Sequence, residues 1–106
     1  MIAQTPNPPY YAVIFTSVRT DDDYGYAEMS DIMVDLASKQ EGFLGMESAR
    51  KEIGITISYW RDLNSITKWR DHIDHTVARN RGREEWYKEF KVRIALVERD
   101  YDFQKY

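Results

Sequence analysis

The chain contains no cysteine among its 106 residues. That absence excludes disulfides, thiolate metal sites and cysteine nucleophiles together. No apolar run approaches the roughly 20 residues that a membrane-spanning helix requires. The opening "MIAQTPNPP" is polar and proline-rich, where a signal peptide would be basic and then apolar. A cytoplasmic protein with no membrane partner is the expectation. Positive charge is in short supply as well: the formal net charge is −3. A nucleic-acid partner recruits a basic face, so none is expected. There is no glycine-rich phosphate loop and no nucleophile motif. The run "DDD" at 21 to 23 lacks a spaced fourth ligand, and it reads as a solvated, helix-capping turn rather than a metal site.

What is present describes one small soluble domain. Apolar residues make up 42% and charged residues 31%, an ordinary balance. A chain of this length buries a modest fraction of its surface, so a partner subunit would help it. The three prolines, Pro6, Pro8 and Pro9, define a flexible N-terminal arm over residues 1–9, ahead of a single domain over 10–106.

Within that domain "YYAVIFTSV" (10 to 18) reads as a strand apolar on both faces. "YAEMSDIMVDLASKQ" (26 to 40) has helical period, with Met29, Ile32, Met33, Leu36 and Ala37 on one face and Gly42 ending it. "FLGMESAR" (43 to 50), a tight turn and the alternating "ITISYW" (55 to 60) make a hairpin. Ile55, Ile57 and Tyr59 share one side of it, Thr56, Ser58 and Trp60 the other. Asp62 is a good N-cap for a second helix, whose inner stripe is Leu63, Ile66, Trp69, Arg70, Ile73 and Val77. A short helix over 83 to 90 and a last strand over 92 to 101 complete the chain.

The order strand, helix, strand, strand, helix, strand is the α+β ferredoxin-like βαββαβ arrangement, a four-stranded antiparallel sheet with two main helices on one face. The helices cover one face only, yet the strands at 10 to 18 and 92 to 101 read as apolar on both. A copy of the same sheet would cover the second face, giving a homodimer through the sheet faces.

"QEGFLGMESAR", "GITISYW" and "ITKWRDHIDHTVARNRGREEWYKEF", with "FTSVRT" after the first strand, resemble the antibiotic biosynthesis monooxygenase (ABM) domain superfamily from about Tyr10 to Tyr101. The resemblance implies a dimeric α+β barrel with a cavity between the helices and the sheet. It also implies cofactor-independent oxidation of a small aromatic or polyketide-like substrate or haem degradation, beside the many members with no assigned reaction.

The haem-degrading branch is disfavoured residue by residue. Matching the "YW" strand end places Trp69 on that branch's tryptophan, and the ligand histidine then falls at Arg79. The histidines stand earlier, at His72 and His75, and the first-strand asparagine is replaced near Thr16 or Ser17. The cofactor-independent branch uses no metal or flavin. It needs an aromatic-lined cavity, a base with a pKa near neutrality and a donor for the developing oxyanion. His72, which follows Trp69 by three residues and borders the inner stripe, is the candidate base. Trp69, Trp86 and Tyr59 are candidate walls, and Ser17 and Arg50 candidate groups to orient a small hydrophobic or aromatic molecule.

Each of these residues also has a plainer reading. Trp69 fits core packing, His72 a solvated helix flank, and Trp86 with Tyr87 a pin for the short helix. Trp60, at a strand end, is a candidate interface anchor. Arg79, Arg81 and Arg83 suit a surface face. The alternative function is accordingly a non-catalytic, small-ligand-binding or stress-related dimeric barrel.

Overall fold

A computed structural model describes residues 1–21, 25–77 and 85–105, without the side chains of 74–77. The elements are β1 (Tyr10–Arg19), α1 (Tyr26–Ser38), β2 (Phe43–Arg50), β3 (Gly54–Trp60), α2 (Leu63–Val77) and β4 (Tyr87–Val97). They form one antiparallel sheet in the order β2-β3-β1-β4, the ferredoxin-like α+β fold. No helix among the described residues is long and apolar enough to cross a membrane.

The register decides which residues meet. Residues opposite one another in an antiparallel ladder point to the same face. Tyr11 pairs with Trp60 and Leu96, Val13 with Ser58 and Ile94, Phe15 with Thr56 and Val92, and Ser17 with Gly54 and Phe90. Tyr11, Val13, Phe43 and Met46 pack against a core of Ala37, Trp60, Ile66 and Trp69, so theirs is the helix side. Tyr10, Ala12, Ile14, Thr16, Ile55, Ile57 and Tyr59 lie on the reverse.

α2 starts where its cap predicts: Asp62 Oδ1 accepts the Ser65 N–H at 2.8 Å. Its entry is wedged against Gly42, which has φ 86° and would drive a Cβ to 2.6 Å from that of Ser65. Gly42 O also accepts the Arg61 N–H at 2.7 Å. α1 is preceded by Gly25 at φ 75°, with no side-chain cap; Asp22 and Asp23, expected to cap it, lie outside the described residues.

Several expectations need correction. Trp60 is no interface anchor: it is fully buried, and its indole N–H donates to Ser58 Oγ at 2.9 Å. Ile32 and Leu63 were placed on inner helix faces but are about half exposed, at 48% and 51%. The helix expected over 83–90 gives way to strand, with β4 already begun at Tyr87. The physical reason is visible in "FKVRIAL": alternation with period two runs back to Phe90. The reverse face of β4 is not apolar throughout, since Glu89, Lys91 and Arg93 occupy its first half. Its apolar stripe, Val92, Ile94 and Leu96, is on the helix side and lies 47–51% exposed, because α1 packs over β2 and α2 over β3.

Candidate functional site

The helix side carries two aromatic groups, one at each end of the sheet. At the Tyr11 end a ladder of rings climbs out of the core. Phe43 meets Trp60 edge-on at 5.4 Å, Trp60 stacks on Trp69 at 6.0 Å, and Trp69 stacks on His72 at 5.8 Å. Trp60 and Trp69 are buried and His72 is exposed, so the imidazole is the ladder's outer rung. Offset and edge-on rings at these separations attract one another beyond the area they bury.

At the Ser17 end Phe15 stacks on Phe90 at 5.2 Å, and Tyr87 closes on both rings at 5.5 and 6.0 Å. Tyr26, at the start of α1, meets Tyr87 and Trp86 edge-on, and the Arg19 guanidinium lies 3.4 Å over its ring. Burial and a hydrogen bond to Tyr26 push the Tyr87 phenol well above its ordinary range, while the positive charges of Arg50 and Arg19 pull it back. Trp86 is buried, and its carbonyl accepts the Thr20 N–H at 2.8 Å. Beside this group the Arg50 guanidinium lies across Gly54, in the space a Cβ would fill, and donates to the hydroxyl of buried Ser17.

The sequence-predicted residues therefore fall in three places. Ser17, Arg50 and Trp86 sit around the Phe15–Phe90–Tyr87 rings. Trp69 and His72 stack together on α2. Tyr59 does not share a cavity with either, because the strand register turns it to the reverse face. There it donates to Glu47 Oε1 at 2.6 Å, and burial followed by that bond pushes its pKa up to about 12. His75 and Arg79 lie outside the described side chains. Phe15, Tyr26 and Phe90 are not singled out by the sequence, and Tyr87, read there as a pin for the short helix, instead begins β4. The signal that would have found Phe15 and Phe90 is their diagonal placement on one face, set by the Phe15–Val92 and Ser17–Phe90 pairs and legible once the alternation of β4 is extended backwards.

The reverse face has its own features. The N-terminal arm lies on it: Ala3 N–H donates to Glu47 Oε2 at 2.9 Å, and Thr5 donates to the Tyr10 hydroxyl at 3.1 Å. Tyr10 in turn donates to Asp100 at 2.6 Å. At the other end of the sheet a hollow of about 190 Å³ is lined by Thr16, Val18, Ile53, Glu89, Lys91 and Arg93 together with Ser17 and Phe90.

No family model matches the chain. It is 48% identical over 106 residues to the uncharacterized protein YqjZ of Bacillus subtilis, covering 98% of this chain and 93% of that one. Among solved structures, PA3566 of Pseudomonas aeruginosa superposes with a TM-score of 0.66 at 17% identity, over 91% of this chain and 99% of its own. A candidate antibiotic biosynthesis monooxygenase of Nitrosomonas europaea gives 0.66 at 12% identity, over 87% and 92%. SnoaB of Streptomyces nogalater, a cofactor-independent oxygenase, gives 0.63 at 10% identity, over 92% and 100%.

Proposed function

Since the chain belongs to the family of Bacillus subtilis YqjZ and has the fold of the antibiotic biosynthesis monooxygenase superfamily, we propose that it oxidises a small aromatic substrate with dioxygen and no cofactor. The observation that carries this reading is the Ser17 end of the helix side. There, ring faces of Phe15, Phe90 and Tyr87 adjoin a fixed guanidinium, which is what a phenolic substrate needs for stacking and for stabilising its anion.

In this reading His72 takes the phenolic proton. His72 stacks on Trp69 and is exposed on α2, so its imidazole is open to a proton donor. The substrate anion passes an electron to dioxygen, and the two radicals join through a new carbon–oxygen bond. Loss of water then leaves a quinone. One oxygen atom enters the product and the other leaves as water, so no external reductant is consumed. Trp69 and Trp86 serve as rigid supports rather than freely exposed walls, since both are buried.

The working unit in this proposal is a homodimer in the cytoplasm, its reverse faces packed over Ile14, Ile55 and Ile57. Ile55 is 43% exposed in the single chain. A second reading, a non-catalytic ligand-binding dimer, is favoured by Trp60 and Trp69 filling the core. Oxygen uptake separates the two. With a panel of naphthols and hydroquinones, the first predicts uptake without added metal or flavin, lost in His72→Ala. Absence of uptake across the panel leaves the second.

A further inference from the structure

Within the paired strand segments one charged side chain faces the helix side; a second cation, Arg19, lies just beyond them, over the Tyr26 ring. Across Tyr11–Ser17, Met46–Arg50, Gly54–Trp60 and Phe90–Leu96, the residues that the register places on that side are apolar, hydroxylic or glycine, except Arg50. Glu47, Glu89, Lys91 and Arg93 all point to the reverse.

Arg50 is also held in place. Its guanidinium crosses Gly54, where any other residue would obstruct it, and donates to Ser17, which is 1% exposed. A guanidinium has five N–H donors in a planar fork. Among the described residues Arg50 makes this one hydrogen bond and no ion pair. That contact orders part of this exposed side chain before any ligand arrives. Phe90, the strand partner of Ser17, is 41% exposed and stacks on Phe15, so a partly open aromatic side chain stands next to the residue that Arg50 holds. The field of Arg50 and Arg19 reaches Tyr87 in the same space.

We propose that this corner binds a planar aromatic anion, its ring on Phe90 and its carboxylate or phenolate oxygen on Arg50. The inference rests on the functional reading above only for the location of the site, and names the substrate class for it. A neutral ring would gain the stacking but leave the guanidinium unmatched. A compact anion without a ring, such as phosphate, would forgo the apolar floor.

The test is an anaerobic titration of the full chain, by calorimetry, with 1-hydroxy-2-naphthoate and with its methyl ester. The free acid is expected to bind at least about tenfold more tightly than the ester, as a charge-assisted pair with arginine implies. Arg50→Gln is expected to bring acid and ester within about twofold of each other. Equal binding of acid and ester by the unmodified protein, or no binding of either, overturns the inference without reference to any variant. A preference that survives in folded Arg50→Gln does so too. Because no oxygen is present, the outcome is independent of turnover: tight acid binding here, with no uptake across the naphthol and hydroquinone panel in air, would end the catalytic reading and leave this one standing.

Discussion

Glu47 shows how far a single side chain can act. Its two oxygens accept Tyr59 O–H and Ala3 N–H, and these bonds, Tyr59 first, hold its pKa below the usual carboxylate range. A carboxylate with a depressed folded pKa adds stability above its unfolded pKa and loses it as pH falls through the folded value. The hold on the N-terminal arm is therefore expected to be complete at neutral pH and to weaken only below the ordinary carboxylate range. Amide exchange should report it: Glu47→Ala is expected to speed exchange at Ala3 and its neighbours while the core amides keep their protection. Tyr59 gives a second reading of the same contact. Absorbance at alkaline pH should show one phenol ionising near 12, and Glu47→Ala should lower that value. None of this was legible in sequence, because Ala3 and Glu47 are 44 residues apart and a carboxylate in a strand looks solvated until its partners are known.

At the scale of elements, legibility followed the strength of the local signal. Asp62 caps α2 as its position implied, and the alternation of "ITISYW" placed Trp60 and Tyr59 on opposite faces correctly. β4 was harder. "EEWYKEF" has the composition of a helix, and only pairing with β1 over Ser17–Arg19 makes Tyr87–Phe90 a strand. Tertiary pairing overrode propensity there, and it hid half of the candidate site. The Gly42 turn offers a test of element junctions. Gly42→Ala adds a Cβ at φ 86° onto Ser65 and is expected to cost about 1–3 kcal/mol, from backbone strain and displacement of the α2 cap. Trp60→Ala, which empties the fully buried centre of the aromatic ladder, is expected to cost about 3–5 kcal/mol. Urea unfolding measures both, and Trp60→Ala should have the lower midpoint. A loss under about 1 kcal/mol there would mean that the ladder is not the core.

The whole molecule was the most legible level in topology and the least in surface. Alternating segments and two amphipathic helices were enough for the ferredoxin-like order, because each period states which face is buried. What the helices leave uncovered depends on where they settle. They sit over β2 and β3, so Val92, Ile94 and Leu96 remain open on one side of β4 and Ile53 and Ile55 on the reverse of the sheet. A chain of this size with two open apolar strips has reason to associate. The proposed working unit associates through the reverse sheet faces. Sedimentation velocity at micromolar concentration tests that association most directly. We expect a single species of about twice the 12.6 kDa chain mass, shifted to the monomer by Ile57→Lys on the reverse face. A stable 12.6 kDa species for the unmodified protein would contradict it.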